Sequence, residues 1–106
     1  MFVKVSVTGG VQFEDRDNFR AFKLVVEGGR TKLDAVRQTL AGIAELPDPD
    51  TAWVFEAALR RWPEVAQDVA WQQGLTAMIE KAKPSGWIDA QRRAIKAHVE
   101  WLEPPA

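Results

Sequence analysis

His98 is the single histidine of the sequence. It stands four residues after Ala94 and three before Trp101, downstream of Trp87. On a helix turning ~100° per residue, His98 falls at the border of an apolar stripe formed by Ile88, Ile95, Val99 and Leu102. Trp87, Ala94 and Trp101 lie on the same side, and Asp89, Arg93, Lys96 and Glu100 make an ordinary solvated face opposite. Two chemistries fit. One is packing, with a ring nitrogen satisfied by a neighbour. The other is proton transfer, because an imidazole titrates near neutral pH and can act as acid or base beside an apolar pocket. The second needs a carboxylate partner, and Asp68 and Glu64 are the candidates.

Asp68 belongs to a second notable pattern. Val65, Val69, Leu75, Ile79 and Ala82 gather on one side of a predicted helix. Asp68, Gln72 and Thr76 recur every four residues inside that apolar arc. Buried polar groups must be paired or they cost several kcal/mol. The ridge therefore reads as bonding to neighbouring backbone or meeting solvent at one end, as a polar pocket lining, or as a subunit contact. The expectation is that Asp68 and Gln72 are at least half-buried and make specific hydrogen bonds.

Other chemistry is removed by counting. The chain has no cysteine, one histidine and no tyrosine. Thiolate catalysis, sulfur-built zinc sites and poly-histidine metal sites within a chain are excluded, and no metal or cofactor is expected. Ser85 with His98 and an aspartate is a conceivable nucleophilic set, but Ser85 sits where a helix cap is wanted and no nucleophile elbow surrounds it. Gly9-Gly10 and Gly28-Gly29 match no nucleotide-binding fingerprint and read as turns.

Charge is balanced along the chain, with net −1 overall. Arg60-Arg61 and Arg92-Arg93 each have acidic neighbours within a turn or two, so surface ion pairs account for them. The basic field of a nucleic-acid binder is missing, and so is a polybasic membrane patch. Met1 leads straight into alternating residues without a basic region or a long apolar run, so the expected compartment is the cytoplasm.

The elements that must position these residues divide near residue 30. Val3, Val5 and Val7 alternate with polar residues, Gly9-Gly10 turns the chain, and Val11 to Glu14 resumes the alternation; this is a hairpin. Phe22, Leu24 and Val26 suggest a third strand. From Thr31 the period becomes helical: Leu33, Val36, Leu40 and Ile43 form one stripe, and Asp48 with Pro49 reads as the start of a helix carrying Val54, Phe55, Leu59 and Trp62. Residues 64–82 and 86–102 complete the series. The fold predicted is α+β: a single domain over 1–106, with an N-terminal antiparallel β-hairpin or three-stranded meander over 1–29, about four α-helices packed on one face over 31–102, and a tail at 103–106.

Five tryptophans are many for 106 residues. Trp53 falls off the Phe55/Leu59/Trp62 stripe and Trp71 lies at the edge of its own. Four helices cannot all turn their stripes onto three strands, so apolar surface at Trp53, Trp71, Trp87 and Trp101 is expected to meet a second chain. The leading reading is a non-catalytic protein–protein interaction module, a homodimer or the small subunit of a larger assembly. The alternative is a small enzyme or ligand-binding domain that uses His98 with Asp68 or Glu64 beside a tryptophan-lined pocket.

Overall fold

The apolar–polar alternation of a strand does not end near residue 30. Ile95, Ala97 and Val99 are buried, Trp101 is half-buried, and the intervening Lys96 and His98 are exposed. The computed structural model describes residues 1–102; the tail expected over 103–106 lies outside them. The described residues form seven strands: β1 (Phe2–Val5), β2 (Val11–Glu14), β3 (Lys23–Glu27), β4 (Ala44–Asp48), β5 (Thr51–Phe55), β6 (Ile88–Asp89) and β7 (Ala94–Leu102). Three α-helices accompany them: α1 (Leu33–Thr39), α2 (Glu56–Arg60) and α3 (Val69–Ala82). This corrects the expected architecture. Four of the seven strands, β4 to β7, lie in the part that read as wholly helical.

The strand order is β2-β1-β3-β7-β5-β4, with β6 also paired to β7. β1, β3 and β7 run parallel, while β2 on β1, β5 on β7 and β4 on β5 are antiparallel. The third strand was expected, but in a meander. It pairs parallel to β1 instead, after a connection that carries the chain from β2 across to the far side of β1. β5 pairs with Ala94 and Ile95 along one edge of β7. β6 pairs with the same two residues and must take the other edge, where β3 begins opposite His98. β6 and β3 thus lie end to end along one side of β7, with a notch between them near Lys96 and Ala97.

Two segments expected to be helical are strands, each for its own physical reason. The spacing of Ile95 and Val99 is four residues, which suits a helical face and is also a multiple of the strand repeat of two. Ala97 and Trp101 break the tie, because both turn to the covered face with Ile95 and Val99. In the second segment, Ala44 and Leu46 on β4 and Ala52 and Val54 on β5 are buried in alternation. The Asp48 side chain accepts a hydrogen bond from the Asp50 backbone at 2.8 Å. That is the chemistry anticipated for Asp48, but it closes a hairpin turn through Pro49-Asp50 instead of capping a helix.

The core lies between the sheet and the helices. Val3, Leu24 and Val99 are in register across the three parallel strands and are at most 2% exposed. Val36, Leu59, Trp71, Leu75 and Ile79 cover them from the helical layer. Phe13 meets the Trp71 ring edge-on at 5.7 Å, and Phe19 packs on the same ring at 6.0 Å. Gly74 makes the second contact possible: a Cβ there would stand 2.6 Å from Phe19 Cζ. The other face of the sheet bears Lys4, Gln12, Lys23, Lys96, His98 and Glu100. It is largely solvated, and Val25 is its buried exception.

Candidate functional site

The residues singled out by the sequence do not converge. His98 projects from β7 on the open face, beside Lys23 of β3 and Thr51 of β5 in register. Asp68 and Glu64 are exposed and belong to the layer on the covered face. The sheet separates them from His98, so the proposed acid–base set is not assembled. Asp68 is the N-cap of α3, its carboxylate accepting from Trp71 N at 3.0 Å. It was expected to be at least half-buried within an apolar arc. The helix starts later than the pattern suggested, which puts Asp68 at its exposed end.

Gln72 is half-buried and richly bonded, as expected of it. Its amide donates to the carbonyls of Arg60 at 3.1 Å and Val65 at 3.0 Å. Its Oε1 accepts from Arg60 at 2.9 Å, and Thr76 Oγ1 accepts from the same guanidinium at 2.8 Å. Arg60 Nε also donates to Glu56 at 2.8 Å, and Arg93 reaches that carboxylate at 3.3 Å. Arg60 spends its donors on α2 and α3 residues, so Gln72 and Thr76 form a clasp between two helices. The polar ridge is a structural lock. Among the described residues no buried side-chain nitrogen or oxygen lacks a partner, and no group of three or more metal-ligating side chains occurs.

The tryptophans take different places. Trp71 is 3% exposed and belongs to the core, because the aromatic rings of Phe13 and Phe19 enclose it and its indole N–H is used by the Arg16 carbonyl at 2.9 Å. It has no surface for a partner. Trp53 is half-buried on the open face, with the Arg92 guanidinium 5.4 Å from its ring centre. Arg92 also pairs with Asp89, and that hydrogen bond, with one from the Arg92 backbone second, holds the Asp89 carboxyl below the usual carboxylate range. Trp101 is half-buried against the core and donates to the Pro49 carbonyl at 2.8 Å. Trp87 is 48% exposed.

Trp87 stands at the notch in the sheet. Its carbonyl accepts from Lys96 N at 2.8 Å at the end of β6. An open groove of about 330 Å³ lies there, walled by Trp87, Phe22 and Phe19, with Met78 and Ala82 of α3 and Ile95 of β7. Arg20, Lys81 and Lys96 line it as well, and no acidic side chain among the described residues does. Sequence reasoning named Trp87 but missed the groove. Its walls come from the 19–22 connection, α3, the approach to β6 and the start of β7, and the last two of these were read as one helix. No protein-family model, curated protein or solved structure matches this chain.

Proposed function

We propose that the chain is a non-catalytic interaction module that docks a partner protein in the notch beside Trp87. One observation carries this reading: Trp87 is the one exposed tryptophan among the described residues, and it forms a wall of an apolar groove. A tryptophan at a depression that a partner can fill is typical of the few residues that dominate binding energy. The clusters with catalytic residue types are otherwise accounted for. Glu56, Arg60, Gln72 and Thr76 satisfy one another, and among the described residues no carboxylate forms an ion pair with His98.

The partner is either a second copy of the chain or another subunit of an assembly. The additional strands absorb most of the apolar surface once expected to be left over, so the contact rests on the groove and not on a broad patch. Light scattering on a sizing column, from about 1 to 100 μM, distinguishes the two, because two-fold dimers are the commonest self-assembly. A mass that doubles in the native chain and stays single in Trp87→Ala identifies a second copy. For another partner, selection of a displayed random peptide library on the native chain should yield clones that lose binding to Trp87→Ala. A single-chain mass together with no Trp87-dependent clone overturns the reading.

A further inference from the structure

The groove has an asymmetric charge. Lys4, Lys23, Arg30, Arg37, Arg60, Lys83, Arg92 and Arg93 each lie in an ion pair. Among the described residues this leaves Arg16, Arg20, Lys32, Arg61, Lys81 and Lys96 outside any such pair. Half of these line the one groove: Arg20 on the approach to β3, Lys81 on α3 and Lys96 on β7. They come from separate elements, so sequence proximity does not account for their meeting. The eight paired cations each have a carboxylate within reach. Here an apolar floor has cations around it and, among the described residues, no carboxylate.

From this we infer that the partner segment is acidic: a large apolar side chain enters against Trp87, Phe22 and Met78, flanked by aspartate or glutamate whose carboxylates accept hydrogen bonds from Arg20, Lys81 and Lys96. The inference rests on the reading of the groove as a docking site and adds the chemistry of what docks. Lysine and arginine lay their aliphatic stems along apolar surface and keep the charged head at the rim, so the same side chains extend the floor and supply the charge. Hydrogen bonds between such ions are the stronger kind. They also select against basic segments, since like charges at a contact are costly. The groove is open to solvent on one side, which suits a segment of polypeptide passing across it; a small anion held there would keep much of its surface in water.

Three fluorescein-labelled dodecapeptides test this. All share a central Leu-Phe-Leu anchor, flanked by glutamate, by glutamine or by lysine, and binding is read by anisotropy at low and high salt. The glutamate peptide should bind the native chain at least about tenfold tighter than the glutamine peptide, the scale of one charge-assisted hydrogen bond. That advantage should shrink as salt is raised, because the rim is screened, and the lysine peptide should bind weakest. Lys81→Glu combined with Lys96→Glu should reverse the order of the glutamate and lysine peptides, with circular dichroism confirming the fold. Trp87→Ala should weaken binding of every peptide. Equal, Trp87-dependent binding of the glutamate and glutamine peptides would overturn the acidic preference while leaving the groove as a docking site. If no peptide binds in a Trp87-dependent way, both readings fall together.

Discussion

The two flanks of α3 carry comparable side chains and treat them in opposite ways. On one flank Gln72 and Thr76 meet Arg60, and every donor the guanidinium turns toward them finds an oxygen. On the other, Met78 and Lys81 face Trp87, Phe22 and Lys96 across an open groove, and Lys81 enters no ion pair among the described residues. A cation that is fully bonded within its own chain holds the fold together. One left at an apolar rim is free to meet something else. The presence of a base does not separate these cases, since each flank has one, Arg60 or Lys81. The difference is made by what meets the cation: α3 offers the Arg60 guanidinium of α2 acceptors in reach, whereas the groove sets Lys81 among apolar side chains and other cations.

That contrast can be broken from beneath. Trp71 lies under both flanks, in contact with Phe13 and with Phe19 of the groove wall. Trp71→Ala should cost about 3–5 kcal/mol, the range for deleting a large buried aromatic, and should disturb clasp and groove together. Denaturant unfolding checks this. A loss below about 1 kcal/mol would mean that the ring is not the shared support.

A smaller effect separates the flanks. Arg60→Ala leaves Glu56, Gln72 and Thr76 without their common donor and should cost about 1–3 kcal/mol, with groove binding unchanged. Lys81→Ala should stay within about 0.5 kcal/mol of the native chain, as surface substitutions do, while weakening the acidic peptide. If the two variants are equally stable, the flanks are not distinct in the way described.

A local effect is expected at the N-terminal end of the same helix. Asp68→Ala removes the cap and should cost about 1 kcal/mol, whereas Asp68→Asn, which keeps an accepting oxygen, should cost little. Loss of several kcal/mol in the alanine variant would place Asp68 in the core after all.

Legibility of the sequence followed the local period. The N-terminal hairpin was readable because Val3 and Val5 alternate cleanly with polar residues and two glycines follow. α3 was readable, though begun too early, because Leu75, Ile79 and Ala82 fall on one helical face without competition from a strand pattern. β7 was not, because its most hydrophobic pair, Ile95 and Val99, is compatible with both periods, and the deciding Ala97 is a small residue with a weak signal in either. Gln72 was flagged correctly as a polar group needing partners, but nothing local named Arg60 as that partner. The groove was beyond reach for a related reason. It depends on β6 and β3 sharing an edge of β7, a relation among three segments that sequence spacing does not encode.

The position of β7 has a further consequence for the order of assembly. It lies in the middle of the sheet and, of the described strands, is synthesised last, joining β2-β1-β3 on one side to β5-β4 on the other. Until residues 94–102 have been made, each half-sheet presents to water the backbone edge that β7 will occupy. Closure of the sheet must then wait for contacts between β7 and β3 that span more than seventy residues, the kind of long loop closure that slows folding. Exposed strand edges recruit other strands, so nascent chains interrupted before Ala94 should be the aggregation-prone species of this protein, and the finished chain should not.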